Sequence, residues 1–147
     1  GPLSDALARR AVNLGLGDRL RLRGYVPNGA DLAALYRGAH VFLHVSLTEG
    51  LPQVLFEAGA AGLPIVATDV GGVRAALEGG DERLLVPAQD ADAAAVALER
   101  LRDDPVLRSA AIDHSLAVAA RGTMEHAHRE LLDLVELAVE RTHLDAA

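Results

Sequence analysis

The chain has 147 residues, half of them hydrophobic but with only two Phe, two Tyr and no Trp, so one ordinary domain with a core of Leu, Val and Ala is expected. Its formal charge is -7, and its 14 basic residues are all arginines scattered along the sequence, which leaves no basic patch for nucleic acid or an anionic membrane. It holds no cysteine, which excludes a disulfide framework, a thiolate metal site and a thiol nucleophile and suits a reducing cytoplasm.

The opening GPLS reads equally as a scar of processing or as a native turn. No basic stretch precedes an apolar run there, and no segment reaches the roughly 18 apolar residues of a spanning helix, so no transmembrane segment is expected. Leu3, Leu7, Ala11 and Leu14 recur at helical spacing, with Gly15 and Gly17 as the stop. RLRLRGYV then alternates Arg19, Arg21 and Arg23 with Leu20 and Leu22, which predicts an edge strand with one wet face. Asp31 is placed to cap a helix through DLAALYRGA, and HVFLHVS is the continuous apolar run of a central strand covered on both sides. Pro52 suits the first position of a helix ending at Gly62, and LPIVATD predicts a second central strand. RLLVP predicts a short last strand, after which helices start near Asp90, Pro105 and Thr123. The last of these aligns Leu131, Leu134, Val135 and Ala138 on one face, with Glu130, Glu136 and Glu140 largely elsewhere, as an acidic helix facing another protein surface would. Strands alternating with helices define an α/β class with a parallel, helix-covered sheet, a single domain over residues 1–147.

Chemistry concentrates in SLTEGLPQVLFEAGAAGLPIVATDVGG. In parallel sheets of this kind ligands bind beyond the carboxyl ends of strands, where loops enter helices. Gly50 lets backbone approach a ligand, and the amides of Gly50, Leu51, Gln53 and Val54 are the donors of a helix N-terminus that attracts phosphate or sugar oxygens. Glu57 lies about one and a half turns into that helix, where a carboxylate can accept hydrogen bonds from a vicinal diol such as ribose. Glu49, in the loop before it, is placed for a second hydroxyl-rich group. The bland alternative has Glu49 capping the helix and Glu57 in solvent.

The same stretch resembles the donor-binding signature of retaining glycosyltransferases of family four: a Glu-x7-Glu motif at Glu49 and Glu57, a turn of small residues, a Pro-led strand and a Gly-Gly. The likeness extends back through LGLGDRLRLRGYVPNGADLAALYRGAHVFLHVS and forward through LLVPAQDADAAAVALERLRDDP. It implies a GT-B architecture, with an N-terminal domain for the acceptor and a Rossmann-like C-terminal domain for a nucleoside-diphosphate sugar, of which this chain resembles most of the second. It further implies that Glu57 binds the ribose hydroxyls and that Glu49, the candidate catalytic residue, contacts the transferred sugar. The backbone of Gly50, Leu51, Pro52 and Gln53 would lie near sugar and phosphate, and Gly24, Tyr25 and Val26 beside the base. Transfer would proceed with retention, without a metal or other cofactor, in glycan biosynthesis; the enzyme would be cytoplasmic, with membrane association mostly in the acceptor half.

The resemblance also predicts departures. The two strands that open the family's domain, with the Arg and Lys that hold the diphosphate, have no counterpart in this sequence, so the sheet is expected to look truncated at its N-terminus and the chain alone to be inactive. In the strand order 3-2-1-4-5-6 the gap falls between RLRLRGYV and HVFLHVS, to be completed by another piece, by rearrangement or by self-association of two copies. Ala75 stands where the family usually has Glu, Arg83 where it has Gly, and Met124 where an aromatic is common. Rival readings are a nucleotide-sugar epimerase of the same fold and a non-catalytic α/β interaction module. Asp90 and Asp92 mimic a metal-binding Asp-x-Asp but open an alanine-rich helix, so a cap explains them; His126 and His128, two apart, share no helix face. His44 reads as a packed or hydrogen-bonded strand residue at the mouth of the site, and Arg74 as either a phosphate neighbour or a surface residue.

Overall fold

The computed structural model describes residues 3–123 and Leu132. Backbone contacts group the chain into two compact units, Gly1–Leu35 and Tyr36–Ala147. The predicted C-terminal helix, with Met124, His126 and His128, lies outside the described residues.

In the first unit, α1 (Ser4–Asn13) ends at Leu14, followed by Gly15 at φ +67°. Its expected apolar stripe is largely open, with Leu3 and Leu7 both exposed. A single 3-10 turn, Gly17–Arg19, leads into residues 20–27, which form no strand. This corrects the edge strand expected from RLRLRGYV. Leu20 does take an extended conformation (φ -103°, ψ 124°), but alternation only sorts side chains between two faces, and a strand exists through its ladder partner. None pairs with this segment among the described residues. Helix α2 (Ala30–Arg37), whose Tyr36 and Arg37 already belong to the second unit, starts one residue before Asp31, so Asp31 sits in the first turn, where its charge complements the helix dipole rather than capping the end.

The second unit contains β1 (Phe42–His44), α3 (Gln53–Ala60), β2 (Ile65–Thr68), α4 (Val73–Ala76), β3 (Leu85–Val86), α5 (Ala91–Asp103) and α6 (Pro105–Arg121). Its strands form a parallel sheet in the order β1-β2-β3, with Leu43 opposite Val66 and Ala67 opposite Leu85. All four residues of β2 are buried, as a strand covered on both faces requires. Ile65 and Ala67 join Leu55, Ala58, Val73 and Val118 on one face of the sheet. Val66 joins Val86, Ala97, Leu101 and Leu107 on the other. The period-two alternation of one strand thus divides the core into two layers.

Among the described residues β1 does not take the central place that its apolar run suggests. It lies at the edge of the described sheet, and Leu43 and Val45 are 42% and 57% exposed. An apolar sequence records that a surface can be covered; it does not supply the neighbour.

Helix ends follow local chemistry. Asp90 accepts the Ala93 amide at 2.8 Å, and Asp104 accepts those of Val106 and Leu107 ahead of a helix that opens with Pro105. Pro52 occupies the N-cap of α3 rather than its first helical position, and α3 stops before Gly62 at φ +71°. No described helix is long and apolar enough to cross a membrane.

Helices α3 and α6 approach most closely at Gly59, where an added Cβ would lie 2.4 Å from the carbonyl oxygen of Ser115. The clash is with main chain, so it can be relieved only by moving a helix. Gly59→Ala is expected to destabilise the fold by about 1–3 kcal/mol, despite the better helix propensity of Ala; a urea midpoint at or above that of the parent would contradict this packing.

Candidate functional site

The carboxyl end of β1 continues through residues 45–52 into the N-terminus of α3. Three loop and strand residues converge there. Ser46 Oγ donates to Glu49 Oε1 at 2.7 Å, and His44 Nε2 lies 3.0 Å from the same oxygen and 3.3 Å from Ser46 Oγ. Glu49 is thus partly buried and partnered, and Pro52, not Glu49, sits at the helix cap. Buried Thr68, at the end of β2, donates to the carbonyl of Ser46 at 2.7 Å. Because strand ends carry both groups, the loop is tied to the sheet before it turns toward the helix.

The second tie is backbone on backbone. Gly72 N–H donates to Gly50 O at 2.8 Å. A Cβ on Gly71 would fall on the carbonyl oxygen of Glu49, and one on Gly72 would lie 2.2 Å from that of Gly50. Gly71 also has φ +53°. Both distance and conformation therefore call for glycine. The Gly-Gly sequence holds the glutamate loop in place from across the sheet.

At the start of α3, the Leu55 amide bonds Pro52 O, whereas those of Gln53 and Val54 have no backbone acceptor among the described residues. They form the open positive end of the helix. Glu57, exposed on α3, accepts from Tyr36 OH at 2.9 Å through Oε2. In Glu57 and Glu49 alike, one oxygen takes the protein donors and the other has no hydrogen-bonding partner among the described residues. Each carboxylate is held at one edge and open at the other. A groove of about 400 Å³ runs beside the loop, lined by Leu43, Val45, Leu47, Thr68, Pro87 and Ala94 among others.

The structure thus brings Glu49, Gly50, Leu51, Pro52, Gln53 and Glu57 into one segment of the second unit. Tyr25 and Val26 belong to the first unit, in irregular backbone after Gly24, with Tyr25 88% exposed. Arg74 has other company: its guanidinium pairs with both oxygens of Asp69 and with Glu82 Oε2 at 2.7 Å. That pairing holds the Asp69 carboxyl below its ordinary range. Arg83, where the resemblance expects glycine, binds Asp81 through side chain and backbone. No group of three or more metal-ligating side chains occurs among the described residues.

Tyr36, Ser46 and Thr68 were not singled out by the sequence reading. Tyr36 had one available signal, since a half-buried phenol in DLAALYR needs a partner for its hydroxyl. Nothing in the sequence connected it to Glu57, which lies 21 residues on.

The parallel three-stranded sheet with its covering helices matches GT-B glycosyltransferase folds. Two solved structures carry the match. Sucrose-phosphate synthase from Thermosynechococcus elongatus superposes with a TM-score of 0.69 at 28% identity, over 91% of this chain and 35% of that one. Anabaena HepE, solved in complex with UDP-glucose, shares the fold with a TM-score of 0.72 at 21% identity, over 90% of this chain and 36% of that one.

The chain belongs to the family described as Glycosyl transferases group 1, which it matches over residues 1–104. It is 33% identical to the D-inositol 3-phosphate glycosyltransferase of Thermobispora bispora over 97% of its own length and 35% of that protein's. The chain spans about a quarter to a third of the curated relatives it matches.

The Tyr36–Glu57 contact has a titration consequence. Desolvation first, then the hydrogen bond and negative charge of Glu57, push the Tyr36 phenol up from 10.0 to about 12. A raised folded pKa favours the neutral phenol, so its stabilisation is complete below pH 10.0 and is lost as pH rises through about 12. In a Tyr25→Phe chain, phenolate absorbance should therefore appear near pH 12, and adding Glu57→Gln should lower the midpoint. A midpoint near 10 in both chains would show that the contact is not formed in solution.

Proposed function

We propose that this chain is the donor-binding part of a retaining glycosyltransferase of family four, with Glu49 and Glu57 as the two glutamates of its signature. The reading is supported above all by the end of β1, where two anchored carboxylates flank an open helix N-terminus. Glu57 Oε1 and the remaining lone pair on Oε2 can accept from a ribose diol while Tyr36 holds the group in place. The amides of Gln53 and Val54, with the close backbone approach that Gly50 leaves open beside Leu51, suit the diphosphate. Glu49 then faces the sugar to be moved, and Tyr25 and Val26 are assigned to the base.

In the proposed reaction the bond between the anomeric carbon and the diphosphate oxygen breaks, a bond to the acceptor oxygen forms on the same face, and the proton of the acceptor hydroxyl passes to the leaving diphosphate. Charge developing on the leaving diphosphate is stabilised in part by the helix end. Neither a metal nor another cofactor is assigned. Arg74 is not assigned to the phosphate, because Asp69 and Glu82 already occupy its guanidinium. The acceptor domain implied by the resemblance is assigned to a further part of the enzyme, so these 147 residues are proposed to bind donor without transferring it. A cytoplasmic setting, peripheral to the membrane in the complete enzyme, belongs to the same proposal.

Calorimetric titration with UDP, GDP and ADP tests the reading. One nucleotide should bind, and Glu57→Ala should weaken it by about tenfold or more, the effect of losing hydrogen bonds to a charged group. A folded chain that binds none of the three, or binds one equally well without the carboxylate, would refute the donor site.

A further inference from the structure

Two side chains, the Ser46 hydroxyl and the His44 ring, meet one oxygen of Glu49, and this arrangement assigns a role to a strand residue outside the signature. Ser46 Oγ reaches Oε1 at 2.7 Å and His44 Nε2 at 3.0 Å. The hydroxyl and the ring nitrogen are themselves 3.3 Å apart. Neither is a loosely placed surface group: the His44 side chain is 14% exposed, and its ring stacks on Phe42 with centroids 6.2 Å apart and planes 12° from parallel. Phe42 in turn packs on Tyr36 and on the core. The main chain of Ser46 is pinned by Thr68. Glu49 Oε2 has no hydrogen-bonding partner among the described residues.

We propose that His44 is a positioning residue for the donor site: in its Nε2–H tautomer it donates to Glu49 Oε1 beside Ser46 and so fixes Oε2 toward a hydroxyl of the sugar carried by the nucleotide. A carboxylate accepting two hydrogen bonds on one oxygen loses the rotation that would otherwise share the two oxygens between protein and ligand. Ser46 alone leaves a pivot; the imidazole, mounted on a rigid strand, removes it. The assignment rests on the donor-binding reading above for the identity of the hydroxyl, but the hydrogen bond stands independently of any ligand.

The test has two arms. Long-range nitrogen-15 NMR of the histidine rings should show His44 as the Nε2–H tautomer in the parent chain, with that preference reduced in Glu49→Gln. A parent in the Nδ1–H form would overturn the proposal whatever the chain binds.

The second arm compares the affinities of UDP-glucose, UDP-N-acetylglucosamine, GDP-mannose and ADP-glucose with those of their parent diphosphates, so that the contribution of the sugar is isolated. For the sugar that tightens binding, His44→Leu should reduce that contribution by about tenfold and leave diphosphate affinity unchanged. His44→Gln, which keeps an amide donor at similar reach, should restore most of it. In a Glu49→Ala background, His44→Leu should have no further effect. Should His44→Leu fail to fold, His44→Phe removes the ring nitrogens while keeping an aromatic ring against Phe42, and the same loss of the sugar contribution is expected.

An undiminished sugar contribution in His44→Leu, in a chain where Glu49→Ala does reduce it, would overturn the positioning role and leave the donor site standing. A sugar contribution that Glu49→Ala leaves intact, or the absence of any nucleotide binding, would instead overturn the donor reading and with it the role of His44.

Discussion

Main chain meeting main chain at Gly71 and Gly72 is the constraint on which the rest of the site depends. The loop after β1 must leave the sheet, present a glutamate and enter a helix within a few residues, and a loop of that kind has many alternatives. Contact with a side chain would leave several of them open. A glycine pair with no Cβ lets two backbones approach until Gly72 N–H bonds Gly50 O at 2.8 Å. Because Gly71 and Gly72 follow the buried strand β2, the loop inherits the rigidity of the most deeply buried element in the second unit.

The same logic explains how carboxylates persist next to a layer of Leu, Val and Ala. For partly buried Glu49 the charge is costly unless hydrogen bonds replace water, whereas exposed Glu57 keeps its access to solvent. Each glutamate is held through one oxygen only: Ser46 donates to Glu49 Oε1, with His44 Nε2 3.0 Å from the same atom, and Tyr36 donates to Glu57 Oε2. Partial satisfaction keeps both groups in place without closing them to a ligand. Fuller satisfaction is seen away from the site, where Asp69 and Glu82 engage Arg74 from two sides.

Legibility in the sequence follows the range of the interactions involved. The β2 strand and helix α3 were readable because a continuous apolar run and a Pro-to-Gly span report local conformation and burial. The caps at Asp90 and Asp104 were equally local. The segment RLRLRGYV was misread because pairing is a property of two strands, and its alternation contains information about one. β1 shows the same limit from the other side: its composition suits a covered strand, yet Leu43 is open. In the site, the spacing of Glu49 and Glu57 was visible, but their partners were not. Tyr36 reaches Glu57 from a preceding helix, and Thr68 reaches Ser46 from the neighbouring strand, contacts set by tertiary packing rather than by sequence distance.

In the proposed function the glutamate loop, clamped by the glycine pair, receives the donor. Backbone amide NMR of the isotopically labelled chain during titration with UDP-glucose and GDP-mannose addresses it most directly. The largest shifts are expected on Glu49–Val54 and on Gly71–Val73, the two backbones joined by the Gly72–Gly50 hydrogen bond. Shifts confined to the groove lined by Leu43, Leu47 and Ala94, or none at all in a folded chain, would contradict it.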